Sequence, residues 1–293
     1  MTFRSGIVPV LGRPNTGKSS LVNALVGRKV SIVSDKPQTT RGRIRGVSSG
    51  DGWQIVFTDT PGYHKPRTLL GERLNDVVGE STTDADAVVH VVDAAAGVGR
   101  GDAHVATTRV ATLACPKVCA VNKIDRLKRG EVIPQLEAAA RLTDYDHIVP
   151  VSARTGAGLP DLRRLLAELL PEGPRYFPPG EVTDQSVEHQ VGEIVREKAL
   201  HLTREELPHS IAVDVEEMAR DEDLVRISAL VLVERPSQKG IVIGRGGEML
   251  KEIGTKARLE LEALLGSRVF LELRVKVQKD WQRDPAALNR LGL

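Results

Sequence analysis

Two cysteines, Cys115 and Cys119, are all that this 293-residue sequence contains. Their spacing in CPKVC matches neither a zinc pair nor a CxxC redox motif, and so sparse a supply argues against a disulfide scaffold. Cys119 opens the apolar run CAV and reads as a buried, inert thiol rather than half of a reactive pair. Aromatic residues make up only 3% of the chain, so a nucleic-acid site would have few stacking platforms. No stretch approaches the roughly 18 uninterrupted apolar residues of a spanning helix. The opening MTFRSGIVPV has no apolar h-region or small-residue cleavage site. These absences lead us to expect a cytoplasmic protein. Net charge is only +2, but it is unevenly spread. Residues 181–234 hold 14 acidic and 5 basic side chains, whereas 235–293 hold 12 basic and 7 acidic. A basic face, if the chain has one, comes from its last sixty or so residues.

What is present is alternation. GIVPVL (6–11), WQIVFTD (53–59), DAVVHVVDA (86–94), KVCAVNK (117–123) and HIVPVSA (147–153) read as buried strands. Helical patterns occupy 18–27, 69–80, 102–114, 131–142 and 159–170. The fold class is therefore α/β, a mostly parallel sheet with helices on both faces, which binds ligands at the carboxyl ends of its strands. PEGPRYFPPGEVTDQ (171–185) is rich in proline and glycine and has no period, so it reads as a boundary. We expect a first domain over 1–172, a linker over 173–185 and a second domain over 186–293. The second part has its own grammar: a charged amphipathic helix (186–206), strands at 209–219 and 224–234, a glycine-rich turn, a helix (248–265) and a strand (268–278). That order describes a smaller α+β domain.

The loops after the strands carry the chemistry. GRPNTGKSS (12–20) fits G-x-x-x-x-G-K-[ST] and stands between a strand and a helix, as a phosphate-binding loop requires. Backbone N–H groups of 15 to 19 can wrap a β-phosphate, Lys18 can reach the β- and γ-phosphates, and Ser19 can ligate Mg²⁺. Gly12, Asn15, Thr16, Gly17, Lys18, Ser19 and Ser20 are thus candidate nucleotide-binding residues. In DTPG, Asp59 would hold the Mg²⁺ through a water and the Gly62 N–H could donate to the γ-phosphate. In NKID, Asp125 can accept from the N1–H and 2-amino group of guanine together, while Asn122 braces the loop and the Lys123 stem lies over the base. Ser152 and Ala153 close the next strand, and the Ala153 N–H is available to guanine O6. Four motifs in order, each closing a strand, point to a guanine-nucleotide site with GTP or GDP and Mg²⁺. The polar stretch VSDKPQTTRGRIRG (33–46) reads as the switch loop, and one of its adjacent threonines must ligate the metal.

The boxes GRPNTGKSS, QTTR, DTPG, NKID and SA resemble the TrmE-Era-EngA-Septin-like GTPases. LPEGPRYFPP, REKALHLTREELPHS and VKVQKDWQRDPAALNRLGL extend the likeness over essentially the whole chain to the Era family of bacterial GTPases. The resemblance favours Thr40 as the metal ligand over Thr39, giving Ser19, Thr40 and Asp59 as the metal set and Lys18, Thr40, Gly62 and Asn15 as the catalytic set. Asn15 stands where potassium-dependent relatives place a cation ligand, which admits K⁺ beside the phosphates. Tyr63 occupies the position of the water-orienting glutamine of many small GTPases, and a phenol cannot do that work, so slow unaided hydrolysis is expected. Gly42 departs from the histidine usual in the family.

The second half resembles a type II KH domain, with VIGRGGEMLKEIG (242–254) as its signature. A GxxG turn lets an RNA backbone approach closely, beside a groove that reads about four nucleotides. Ile243, Gly244, Arg245, Gly246, Gly247 and Lys251 are the candidate RNA contacts, although Arg245 and Lys251 read equally as solvated charges. The likeness implies a monomer that binds the 3′ end of 16S rRNA and assists maturation of the 30S ribosomal subunit, and it allows peripheral association with the inner membrane. Two rivals are a GTPase that docks on a protein or membrane partner and a non-catalytic RNA binder whose nucleotide only locks its shape. The KH glycines argue against the first. Lys18, Ser19, Asp59 and the twin threonines argue against the second.

Overall fold

Every apolar run forms a strand in the computed structural model, which describes residues 2–36, 38–62, 66, 68–203 and 210–293. The chain divides into two compact units, one of residues 1–33, 40–66 and 71–184, the other of 34–39, 67–70 and 185–293. In the first, β1 (Arg4–Leu11), β2 (Ile44–Gly50), β3 (Trp53–Asp59), β4 (Val88–Asp93), β5 (Lys117–Asn122) and β6 (His147–Pro150) make one sheet in the order β2-β3-β1-β4-β5-β6. All pairs are parallel except β2 with β3. All six residues of VVHVVD in β4 are buried, as a strand covered on both faces demands. The edge strand β2 was not expected, because its first three residues fall within the stretch read as a switch loop.

The covering helices are α1 (Lys18–Val26), α2 (Leu69–Ser81), α3 (Arg100–Val105), α4 (Val132–Ala140) and α5 (Leu159–Leu169). The single long helix expected over 102–114 is instead α3 continued by a π-turn, Ala106–Val110. Leu159, Leu162 and Leu166 put the apolar stripe of α5 against Val8, Val10 and Phe57 of the sheet. β1 has β3 on one side and β4 on the other, so the chain's connections diverge at its carboxyl end and open a crevice there.

The proline-rich stretch expected to be a linker is laid along the first unit as far as Asp184. Gln54, fully buried on β3, accepts from the backbone N–H groups of Tyr176 and Phe177 and donates to the Phe177 carbonyl (2.8, 3.0 and 3.0 Å). Val47 N–H donates to the Val182 carbonyl at 2.8 Å. A segment without period thus has backbone groups of Tyr176, Phe177 and Val182 satisfied by β2 and β3, which composition alone does not reveal.

In the second unit α6 (Val187–Leu202) begins at Ser186, whose hydroxyl caps it by accepting from His189 N–H. Residues 204–206, at the end of the helix expected there, lie outside the described residues. β7 (Ala212–Asp221), β8 (Leu224–Val233), α7 (Pro236–Ile243), α8 (Glu248–Leu265) and β9 (Arg268–Val277) follow. β8 pairs antiparallel with β7 and parallel with β9. Val191, Val195 and Ala199 of α6 and Ile253, Ala257 and Leu261 of α8 share one core with Val225, Ile227 and Val231 of β8. The tail adds α9 (Pro285–Arg290) and is anchored by Trp281, fully buried, whose Nε1 donates to the Ser210 carbonyl at 3.0 Å. Among the described residues, no helix is long and apolar enough to cross a membrane.

Candidate functional site

The phosphate-binding loop leaves β1 at Gly12 and enters α1 at Lys18. Gly17 is the turn's decisive residue: its φ of 93° is left-handed, and a Cβ there would stand 2.5 Å from the Asn122 amide nitrogen. No side chain caps α1, so no capping group competes with a ligand for the N–H groups of its first turn. Lys18 is 6% exposed and its Nζ donates to the carbonyls of Gly12 and Arg13, both at 3.0 Å. Burial pushes its pKa down from the usual 10.5 to about 8; Asp59 opposes that shift and the Arg13 cation adds to it.

Three hard oxygen groups meet beside that lysine. Ser19 Oγ and Thr40 Oγ1 are 2.9 Å apart, and Thr40 Oγ1 donates to Asp59 Oδ2 at 3.2 Å. Asp59 is fully buried, which raises its carboxyl pKa against the lowering influence of Ser19, Lys18, Ser31 and Thr40. Asp59 Oδ1 is buried without a hydrogen-bond partner among the described residues. Two hydroxyls and an under-satisfied carboxylate suit Mg²⁺, which takes one or two carboxylates plus the oxygens of a phosphate chain. The neighbouring Thr39 turns to its own loop, bonding the Lys36 carbonyl and Ser34 Oγ at 2.7 and 2.9 Å. Gly62 closes on the same loop, since a Cβ on it would meet Pro14 at 2.9 Å. Tyr63 lies outside the described residues.

The base-side loops are tied to the phosphate loop. Asn122 Nδ2 donates to the Thr16 carbonyl at 3.0 Å and Asn122 Oδ1 accepts from Ala153 N–H at 3.1 Å. The second bond engages the very N–H expected to serve guanine O6, so Ala153 has at most a shared donor for a base. Lys123, held at φ 67°, donates to the Asn15 carbonyl and to Asp93 Oδ2 (2.7 and 2.6 Å). Asp125 Oδ1 accepts from Ser152 Oγ at 2.7 Å, and Oδ2 is ion-paired with Arg154 Nε at 3.3 Å. Sequence reasoning missed Asp93 and the buried Asp102, whose carboxylate pairs with Arg13 Nε at 3.0 Å. Asp93 ends a recognised strand and carried that much signal; Asp102 carried none. Ser20 sits in the first turn of α1, among the residues expected to meet phosphate.

In the second unit the turn between α7 and α8 is Gly244-Arg245-Gly246-Gly247. Gly246 and Gly247 have φ of 59° and 87°, and nothing lies within 4 Å of a Cβ placed on either. The turn therefore presents open backbone. Beside it a groove of about 400 Å³ is lined by Gly247, Leu250, Lys251, Arg258 and Leu273 among others. Ile243 is half-buried at the end of α7, whereas Arg245 and Lys251 are exposed.

The family model described as a 50S ribosome-binding GTPase matches residues 7–123, and that of a KH domain matches 206–282. GTPase Era of Mycobacterium sp. strain KMS is 50% identical over 295 residues, covering 99% of each chain. The chain belongs to the Era family of GTPases. The Era of Mycobacterium tuberculosis strain ATCC 25177 / H37Ra is likewise 50% identical, over 296 residues and 99% of each chain. A crystal structure of Era with MgGDPNP and nucleotides 1506–1542 of 16S ribosomal RNA matches with a TM-score of 0.96, at 39% identity over 99% of both chains. An Aquifex aeolicus Era variant bound to GDP and AlF4⁻ matches equally, with the same TM-score, identity and coverage. The protein is accordingly a GTPase, with a P-loop α/β domain and a C-terminal KH domain.

Lys18 generates the first prediction. A polyphosphate beside a lysine whose pKa is about 8 restores its charge, so nucleotide binding must take up a proton where the free protein has lost it. Calorimetry of GTP-analogue binding at pH 8.5 in buffers of differing ionisation enthalpy should show uptake approaching one proton, falling towards zero at pH 7. Lys18→Ala should abolish the difference. Equal uptake at both pH values would contradict the burial of this ammonium.

Proposed function

We propose that the chain is a GTP-driven switch that binds the 3′ end of 16S rRNA through its KH domain and assists maturation of the small ribosomal subunit. The observation that carries the GTPase half is the meeting of Ser19, Thr40 and Asp59 beside Lys18. The RNA half is supported by the open glycine turn, the groove beside it and the full-length likeness to an Era bound to that RNA. We assign the nucleotide domain to 1–172 with its strapped extension over 173–185, and the RNA-binding domain to 186–293. The protein works in the cytoplasm as a monomer, with peripheral inner-membrane association as a further element of the reading.

In this account Lys18 leaves the carbonyls of Gly12 and Arg13 for the β- and γ-phosphates, supplying a cation in a dry site where it counts most. The N–H groups of 15 to 19 orient the β-phosphate. Ser19 and Thr40 would hold Mg²⁺ directly and Asp59 through water; the ion supplies charge neutralisation between the phosphates. Thr40 can do so only when its loop is drawn in, which makes the metal the reporter of a γ-phosphate. Gly62 offers its N–H to that phosphate. Asn15 stands where a potassium ion would complete the neutralisation. Asp125 reads guanine with the carboxylate that the exposed Arg154 now pairs, and Asn122 and Lys123 hold the base loop on the phosphate loop.

Asp125→Asn should trade guanine for xanthine, because the N1–H and 2-amino donors lose their acceptor. A site built around a paired hydrogen bond rejects the wrong partner by roughly 10⁴-fold. Binding of GTP and XTP analogues measured side by side decides it; unchanged GTP affinity with no gain for XTP would remove Asp125 from the base site.

For the RNA half, Arg245→Asp combined with Gly246→Asp places two negative charges on the turn where a phosphate track would pass. Filter binding of rRNA 3′-end RNA should be lost while GTP affinity without RNA is unchanged. Undiminished RNA binding would take the glycine turn out of the RNA site.

A further inference from the structure

Helix α6 is buried on two faces. Val191, Val195 and Ala199 turn one of them to the core they share with the sheet of the second unit. At about 100° per residue, Glu193, Arg196 and Leu200 lie on the opposite side. Leu200 is 1% and Arg196 2% exposed. An arginine is almost never buried so deeply unless it is paired. Here Nε and Nη2 donate to the two carboxylate oxygens of Glu193, each at 2.7 Å. Nη2 also donates to the main-chain carbonyl of Thr39. Thr39 ends the switch-loop segment Ser34–Thr39, which belongs to the same unit as α6.

Thr39 is thereby fixed twice. Its hydroxyl bonds the Lys36 carbonyl and Ser34 Oγ within its own loop, and its carbonyl is held by Arg196. That carbonyl belongs to the planar peptide whose far end is the Thr40 Cα, so orienting it orients the start of Thr40. Thr40 Oγ1 stands 2.9 Å from Ser19 Oγ and donates to Asp59 Oδ2 at 3.2 Å. An arginine that served its helix alone would pair with Glu193 at i,i+3 and go no further. Its burial and its third bond, to the backbone of a polar loop, make Arg196 a support of that loop. A lysine could make one of these bonds but not the fork.

We propose that Arg196 is a positioning residue for the triphosphate state: braced by Glu193, it holds the Thr39 carbonyl so that the Thr40 hydroxyl is presented to the metal. The inference rests on the proposed metal set of Ser19, Thr40 and Asp59. Arg196 acts only through the Thr39–Thr40 peptide. Because Thr40 joins the metal when a γ-phosphate is present, loss of Arg196 weakens the triphosphate state and spares the diphosphate. Outer partners of metal ligands usually change metal affinity roughly 10–100-fold, and one acting through a peptide belongs at the lower end.

The test is the Mg²⁺ dependence of release of fluorescent GDPNP and GDP from the full-length protein, with parallel measurements in excess EDTA. Arg196→Ala should raise the Mg²⁺ concentration for half-maximal slowing of GDPNP release about 10-fold, with the GDP value and both EDTA rates unchanged. Arg196→Lys, which keeps one donor, should recover part of the loss. Thr40→Ala should give a larger shift, and adding Arg196→Ala to it should change nothing more. An unchanged GDPNP requirement in Arg196→Ala beside a shifted one in Thr40→Ala overturns the role of Arg196 and leaves the metal set standing. An unchanged requirement in Thr40→Ala takes Thr40 out of the metal set and the inference with it. Release accelerated alike for both nucleotides, with and without Mg²⁺, would mean that Arg196 only holds the fold together, which also overturns the proposal. If Arg196→Ala does not fold once Glu193 has lost it, Glu193→Gln combined with Arg196→Met removes both charges together, which buried pairs tolerate, and gives the same readout.

Discussion

An ammonium at the start of α1 and a carboxylate at the end of β3, both removed from water, are the constraint on which the site depends. Lys18 and Asp59 are both buried, and burial moves each towards its neutral form. The phosphate loop meets part of that cost with two of its own carbonyls, and the switch loop meets part of it with the Thr40 hydroxyl. Such partners satisfy hydrogen bonds without supplying full counter-charges. A triphosphate with its metal supplies both signs at once. On the proposed reading the site is more settled with ligand than without, and Lys18 exchanges its two loop carbonyls for phosphate oxygens.

Asn122 shows how the same region avoids becoming loose. One amide ties the base loop to the phosphate loop through Thr16 and to the last strand's loop through Ala153. Lys123 repeats the tie at Asn15, and Asp93 holds Lys123 in turn. The loops proposed to recognise base and phosphate thus share one scaffold at the carboxyl ends of three neighbouring parallel strands, β1, β4 and β5, where the crevice rule for open sheets places a ligand. In the KH domain the logic is reversed. The turn there lacks side chains, so that Gly246 and Gly247 expose backbone at angles that other residues resist, and the proposed RNA contact uses that bare backbone.

Residues whose role depends on local pattern were legible before the structure. The five parallel strands announce themselves by apolar runs rich in Val and Ile, and the phosphate loop by its glycines and lysine. Residues whose role depends on distant partners were not. β2 begins inside RGRIRG, where three arginines mask an edge strand. Gln54 looks like a polar slip in WQIVFTD, yet it straps the proline-rich segment through bonds to Tyr176 and Phe177, over 120 positions away. Ser31 and Asp102 belong to no motif, because each is placed by tertiary packing alone. The choice between Thr39 and Thr40 had to borrow from resemblance, since adjacent threonines have identical chemistry; in the fold the Thr40 hydroxyl meets Ser19 and Asp59, whereas that of Thr39 bonds Ser34 and the Lys36 carbonyl.

A structure of this protein with Mg²⁺ and GDPNP tests the account most directly. It should show Lys18 Nζ on phosphate oxygens and no longer on the Gly12 and Arg13 carbonyls, with the hydroxyls of Ser19 and Thr40 both in the metal's inner shell. A Lys18 still bound to its own loop, or a metal ligated without Thr40, would contradict it.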